Sequence, residues 1–287
     1  MNNDMHIGFI GAGRVGTSLG RYFADNGLII TGYFSRSCSS AKESAEFTGS
    51  TPFSDVSELL SVSDTIFITA PDSAVTDVYL QLRNAGISGK MLCHCSGSLS
   101  AEEAFPDIAL SGACGCSVHP LFPVSSRFDS FRELGNAFFC IEGDAQCSEM
   151  WRGLLSSFGN KVRIISGEHK KKYHAACAVS SNLVCALAAE SIGLLEQCGF
   201  SRTEALEALR PLAFSNLEHI FSCGPTAALT GPAERGDVST VRKHIGCLSS
   251  DTDRSMYKAV TLKLLETAQL KNPDRDYSEL RALLTNE

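Results

Sequence analysis

At 287 residues and 44% apolar content, the chain can bury a core large enough for one large or two modest domains. A net charge of -7 with no long run of Lys or Arg argues against nucleic acid as a partner; His169-Lys170-Lys171-Lys172 is the densest basic spot. No apolar stretch is read as reaching the roughly 20 residues that span a bilayer, and the apolar start lacks a basic flank and a cleavage site, so no membrane partner and no leader are expected.

The first predicted strand, over 5–11, flows into Gly11-Ala12-Gly13-Arg14-Val15-Gly16, and a helical pattern over 15–26 follows at once. In a dinucleotide-binding turn Gly11 permits the tight bend, Gly13 lets backbone amides approach a pyrophosphate, and Gly16 lets the helix lie close to the strand. The helix then aims its positive end at the phosphates. A second strand over 28–35 ends in Tyr33-Phe34-Ser35-Arg36-Ser37, where a domain that prefers NAD carries an acid for the ribose 2′-hydroxyl. Ser35 and Ser37 can bond a phosphate and Arg36 can neutralise it, so NADP is favoured over NAD; the alternative is a hydroxyl-rich solvated turn.

Helices are predicted over 39–47, 56–62, 74–84 and 148–158, alternating with strands over 65–70, 91–96, 113–118, 137–142 and 162–165. Ala70-Pro71-Asp72 falls at a strand's carboxyl end, where open α/β sheets bind ligands, with Pro71 turning the chain past the cofactor and Asp72 read as a helix cap. His94-Cys95-Ser96-Gly97 ends the next strand, where Ser96 either bonds a carboxamide or substrate or simply forms the turn. Val118-His119-Pro120 ends another, so His119 faces the same cleft or is structural. The twelve cysteines are scattered, mostly in apolar runs, and read as free, buried thiols in a reducing cytoplasm. Cys93, Cys95, Cys114, Cys116 and His119 form a tempting cluster, but C-x-C on a strand points both thiols one way, so packing is preferred and no metal is expected.

After about Ser166 strand runs cease. One long helix is read over 172–198, with Ala176, Val179, Leu183 and Leu187 at three- and four-residue steps. Ser201-Arg202-Thr203-Glu204 opens another through a capping box, Gly224-Pro225 and Gly231-Pro232 bracket a loop, and helices follow over 238–248 and 252–270. The domains are therefore set at 1–166 and 167–287. Alanine-rich faces on the long helix invite close packing between subunits, so a homodimer is expected. Lys172, His174 and Asn182 share roughly one face of that helix. Arg235 is suited to clamp a carboxylate or phosphate, or pairs with Asp237 to pin the loop.

Together the segments GAGRVG (11–16), ITAPDSAV (68–75), HCSGSLSAE (94–102), SVHPLFPV (117–124), KYHAACAVSSN (172–182) and GPAERGD (231–237), with Thr240 and His244 beyond, are similar to a known family. The chain resembles the Rossmann-like proteins with a C-terminal domain of unknown function 2520, relatives of pyrroline-5-carboxylate reductase, ketopantoate reductase and the β-hydroxyacid dehydrogenases. The resemblance implies a Rossmann-type, doubly wound parallel sheet followed by an all-α second domain that dimerises. In the β-hydroxyacid dehydrogenases an analogous helix supplies a lysine acid/base and an asparagine one turn apart. Lys172 and Asn182 are ten positions apart, so His174 rivals Lys172 as proton donor.

The expected function is an NADP-dependent reductase acting on a small, anionic carbonyl or imine compound. Its nicotinamide site is placed at the strand ends by Gly11, Ala12, Gly13, Arg14, Val15, Gly16, Ser35, Arg36, Ser37, Ala70, Pro71 and Asp72. Catalysis is assigned to His174 or Lys172 with Asn182 and Ser96, and substrate binding to His119, Arg235 and Asp237, in a cleft between the domains. A non-catalytic dinucleotide sensor, a deazaflavin-dependent reductase and a metal- or thiol-dependent redox protein are the alternatives.

Overall fold

The structure, a computed structural model, describes residues 5–285. It divides into two compact units, residues 1–181 and 182–287. The sheet belongs to the first, in the strand order β3-β2-β1-β4-β5-β6-β7-β8. Its strands are β1 (His6–Ile10), β2 (Ile29–Phe34), β3 (Thr51–Phe53), β4 (Thr65–Ile68), β5 (Met91–His94), β6 (Cys114–Leu121), β7 (Phe138–Gly143) and β8 (Lys161–Ile164). The first six follow the doubly wound order 3-2-1-4-5-6 of dinucleotide-binding sheets. The sheet is parallel, as expected, except at one place: β7 runs antiparallel to β6, and β8 then pairs parallel to β7.

Helices α1 (Arg14–Asp25), α2 (Cys38–Thr48), α3 (Val56–Ser61), α4 (Asp72–Ala85), α5 (Ala101–Ala104), α6 (Ala145–Ser157) and α7 (Lys170–Ser180) complete this unit. Helices α1 to α6 bury apolar residues against the two sheet faces, as a parallel sheet requires, whereas α7 buries only Lys170. One core joins Leu19, Phe23, Ala41 and Trp151 to Phe9 and Phe67; the other joins Leu59, Val75, Tyr79 and Phe105 to Ile66 and Ile68. Trp151 stacks on Phe23 at 5.3 Å and meets Phe67 edge-on at 5.0 Å.

The helix read over 172–198 is two helices. Ser181, at φ -127 and ψ -73, leaves helical geometry, so α7 ends at Ser180 and α8 (Asn182–Gln197) begins in the second unit. The boundary therefore falls 15 residues later than the fading of strand runs at Ser166 suggests, because α7 keeps its contacts with the sheet. The second unit is helical throughout its described residues: α9 (Arg202–Cys223), α10 (Pro225–Ala228), α11 (Pro232–Arg235), α12 (Val238–Cys247), α13 (Asp251–Lys271) and α14 (Ser278–Thr285). The Ser201 capping box opens α9 as expected. The unit's core, Ala233, Val241, Leu265, Ala268, Tyr277, Leu280 and Leu284, draws on α11 to α14 alone.

Two further expectations are corrected. The helical run Gly167–Gln197 is long and apolar enough to cross a membrane by length and composition, since its alanines, valines and leucines outweigh the basic start. It is also almost bare, with 6% of its most apolar window buried. Cys114 and Cys147 form a disulfide rather than remaining separate thiols, because β6 and the first turn of α6 bring them together; ten other cysteines are free. Cys93 and Cys116 meet across β5 and β6 with sulfurs 3.7 Å apart inside the core, where C-x-C alternation placed them.

Candidate active site

The turn between β1 and α1 has the geometry its three glycines suggest. Gly11 sits at φ +111, and a Cβ there would come 2.8 Å from the Thr69 carbonyl oxygen. At Gly16 a Cβ would lie 2.4 Å from Thr69 Oγ1 and 2.5 Å from the Gly11 carbonyl, so α1 can approach the sheet only because no side chain intervenes. Gly13 is open, with nothing within 4 Å of its would-be Cβ. It is also the N-cap of α1 and offers no side chain to the first-turn amides, which leaves donors and a helix dipole for an anion. Ala12 is buried beneath the turn, Val15 is half-buried and Arg14 is exposed.

At the end of β2, Ser35 Oγ accepts from the Ser37 backbone amide and Ser37 Oγ caps α2 by accepting from Ser40. Arg36 is exposed. No acid occupies this strand end. The residues present fit the phosphate-bearing groups of a dinucleotide: an uncapped helix start, a glycine turn open to a pyrophosphate, and a cation with hydroxyls beyond β2.

A second polar cluster lies at the carboxyl ends of β5 and β6. Asp72, expected as a cap, is not one: Pro71 is the N-cap of α4, and the Asp72 carboxylate accepts from Ser96 Oγ at 2.6 Å and Ser98 Oγ at 3.0 Å. Ser96 Oγ also accepts from the amides of Ser98 and Leu99, so its hydroxyl fastens the loop after β5. Of the two readings of Ser96, a bond to a carboxamide or substrate and a turn, the structure shows its hydroxyl bonded within the turn. Its neighbour Gly97 lies beneath two imidazoles, since a Cβ there would come 2.4 Å from His174 Cδ2 and 2.9 Å from His119 Nε2.

His119 and His174 thus come together from β6 and α7, with ring centroids 6.3 Å apart. His119 Nδ1 is 2.6 Å from the Tyr173 hydroxyl. Burial first, then the positive charge of Lys170, pushes His119 down to about 4, so its ring is neutral near pH 7. Burial raises Tyr173, which keeps its phenol protonated. A neutral His119 that accepts this proton at Nδ1 carries its own on Nε2, toward Gly97. His94 is fully buried and pushed down to about 3, again chiefly by burial; its Nδ1 accepts from the Ser96 amide while Nε2 has no partner and the ring sits edge-on to Phe105.

Lys170 is the residue sequence reading missed. It is wholly buried, donates to Ser117 Oγ at 2.5 Å, and lies 5.8 Å from the Tyr173 ring. Ser117 Oγ donates onward to the Ser96 carbonyl. Glu142, buried on β7 opposite Ser117, accepts from the Ala101 amide and its charge offsets that of Lys170, whose own pKa burial lowers. Of the three consecutive lysines, Lys171 reaches Glu103 and Lys172 is exposed. A signal was present: Lys170, Tyr173, His174 and Cys177 fall at i, i+3, i+4 and i+7, the spacing of one helix face.

The remaining expected residues lie in the second unit. Asn182 starts α8, beyond the break at Ser181, whereas Lys172 and His174 lie on α7. Asp237 caps α12, accepting from the Thr240 amide and hydroxyl and from Ser239, which holds its carboxyl at about 2. Arg235 is exposed at the end of α11, and His244 bonds the Tyr257 hydroxyl.

Residues 1–120 match the Rossmann-like domain family and residues 137–264 match the domain of unknown function DUF2520. Among solved structures the chain is similar to protein TM1727 from Thermotoga maritima, at 26% identity over 92% of this chain and 99% of that one, with a TM-score of 0.70. It also resembles an imine reductase from a Pseudomonas species (18% identity, 98% and 91% covered, TM-score 0.61). A third is the Plasmodium falciparum pyrroline carboxylate reductase with NADP bound (14% identity, 94% and 98% covered, TM-score 0.60). No curated protein matches the sequence.

The histidines make stability depend on pH with a definite sign. Because His94 and His119 are held neutral below the ordinary value of 6.5, the unfolded chain binds more protons in the window from about 6.5 down to about 4. Unfolding free energy is therefore constant above pH 7 from these groups and falls as pH drops through that window. Denaturant melts of wild type against His119→Gln between pH 7.5 and 4.5 should show a shallower loss in the variant; parallel curves would refute the assignment.

Proposed function

We propose that the chain, whose residues 1–120 match the Rossmann-like model and whose residues 137–264 match DUF2520, is an NADP-dependent reductase of a small carbonyl or imine compound. The observation that carries the reading is the pairing, within one unit, of an open glycine turn with a neutral-histidine cluster at the same sheet edge. The fold likeness to an imine reductase and to a pyrroline carboxylate reductase holding NADP supports it. NADPH bound at the turn would supply a hydride to the substrate carbon.

The chain's own part is to orient the reactants and to supply a proton. His174 is the donor in this reading: it is exposed, on the first turns of α7, and beside a neutral His119 that places no second positive charge against it. Tyr173 fixes the His119 ring through the 2.6 Å hydrogen bond. Lys172, exposed with no bonded partner among the described residues, is the lesser candidate. Arg235, also exposed, is proposed to favour anionic substrates. His174→Ala should lower turnover about 100-fold with NADPH affinity unchanged, the size expected for a lost acid. Assays on a panel of keto acids and cyclic imines measure this, and an unchanged rate would remove His174 from the reaction.

Cofactor choice is tested separately. Fluorescence titration should show NADPH bound more tightly than NADH, with Arg36→Asp narrowing or reversing the preference. Equal wild-type affinities would defeat the reading of Ser35-Arg36-Ser37.

We also propose that the protein is a homodimer held through α8 and α9. Each buries a single residue within the second unit, Ile192 and Ala205, while Leu183, Leu187, Leu212, Phe214 and Phe221 are exposed. An apolar face of this extent needs a partner. Sedimentation at micromolar concentration should give twice the chain mass, and Leu212→Glu with Phe214→Glu should give the monomer; a monomeric wild type would count against it.

A further inference from the structure

At the amino ends of β4 to β6, away from the site above, a cavity of about 520 Å³ opens beside Cys114. Met5, Met91 and Met150 line its apolar side, and Asp64 and Lys90 its polar side. Cys114, half-exposed at the start of β6, forms part of the wall; Cys147, its partner, is fully buried behind it at the third position of α6. Their Cα atoms are 6.7 Å apart, within the span a disulfide bridges. One sulfur is therefore reachable from the cavity and the second is reachable only from the first.

We propose that Cys114 and Cys147 form a reversible dithiol–disulfide pair that exchanges with low-molecular-weight thiols and disulfides entering this cavity. In the oxidising direction the Cys114 thiolate attacks one sulfur of a small disulfide RSSR. That bond breaks, RSH leaves with one proton, and a mixed disulfide remains on Cys114. The Cys147 thiolate then attacks the Cys114 sulfur and expels the second R group as RSH. The protein loses two electrons and two protons, and one RSSR becomes two RSH. The reverse sequence, begun by a small thiolate, restores both thiols.

Two features fit this assignment. Cys147 lies in the first turn of a 13-residue helix, whose amide donors favour a thiolate, and Lys90 adds a cation to the cavity. Asp144 opposes them, as do Asp64 and Glu149 in the cavity wall: the Asp144 carboxylate lies within 4.8 Å of both sulfurs, although its Oδ1 is engaged by the amides of Gln146 and Cys147. Cys93 and Cys116 supply an internal control. They too are adjacent, but both are fully buried, so no small disulfide reaches them.

The inference is independent of the reductase reading and is tested without any substrate. Reduced protein is exposed to bis(2-hydroxyethyl) disulfide, quenched in acid, alkylated and mapped by peptide mass spectrometry. Cys114 and Cys147 should appear as one cross-linked peptide pair that dithiothreitol reverses, while Cys93 and Cys116 stay alkylatable after denaturation. Cys147→Ser should stop at a hydroxyethyl mixed disulfide on Cys114, and Cys114→Ser should slow oxidation at Cys147 at least tenfold. Recovery of residues 114 and 147 as separate alkylated thiols, when exposed Cys38 and Cys223 are already oxidised, would overturn the proposal. So would an unchanged Cys147 rate in Cys114→Ser. Should a variant lose its far-ultraviolet circular dichroism, the wild-type cross-link decides alone.

Discussion

The Lys170 ammonium is taken wholly out of water beside β6, and what surrounds it is arranged to make that tolerable. An ion removed from water costs several kcal/mol even after the protein relaxes, unless opposite charge and hydrogen bonds offset it. Glu142 brings the charge and Ser117 the acceptor. With its oxygen receiving the lysine, the Ser117 hydroxyl turns its proton to the Ser96 carbonyl and so grips the loop after β5. That loop carries Gly97, over which His119 and His174 close. One turn along α7 from the buried ammonium, Tyr173 reaches His119. The geometry of the histidine cluster is thus tied to where a single charge is buried.

The glycine turn obeys a different logic. Its requirements are local: a positive φ at Gly11, a close approach at Gly16 and an open backbone at Gly13. Such a turn is encoded within six residues, which is why many unrelated dehydrogenases share it, although Thr69 and Phe34 bond it in space. It specifies a dinucleotide and nothing of the chemistry beyond. The Lys170 network needs residues from β5, β6, β7 and α7 at once, so it is the more particular of the two constructions.

This difference governs what could be read before the structure. The alternating strands and helices were legible because each carries its own periodicity, and the roles of Gly11, Gly13 and Gly16 follow from short-range geometry. Strand β3 was not legible: three residues with Pro52 at the centre give no alternation to detect. Nor was the reversal at β7, since a strand's direction depends on its partner rather than its composition. The break at Ser181 left the apolar steps of the helices uninterrupted, so two helices read as one. Lys170 was hidden by its neighbours. Three lysines in a row resemble a solvated helix start, and only the partners Ser117 and Glu142, 53 and 28 positions away, single one of them out.

The two family matches place a seam through this arrangement. The Rossmann-like match ends at residue 120, just after His119, and the DUF2520 match begins at residue 137, at the entry to β7. The seam coincides with the one antiparallel pairing in the sheet. Ser96, Ser117 and His119 lie on its first side; Glu142, Lys170, Tyr173 and His174 lie on its second. The compact unit nonetheless runs on to residue 181, so β7, α6, β8 and α7 extend the nucleotide-binding sheet while matching the second family. A polar network that crosses such a seam cannot be supplied by either segment alone. Within that network the hydrogen bonds from Lys170 to Ser117, from the Ala101 amide to Glu142 and between Tyr173 and His119 cross the seam. The proposed chemistry therefore rests on the junction rather than on the turn: the first 120 residues hold the glycine turn, Ser117 and His119, and the Lys170, Tyr173 and His174 that act beside them lie past the seam.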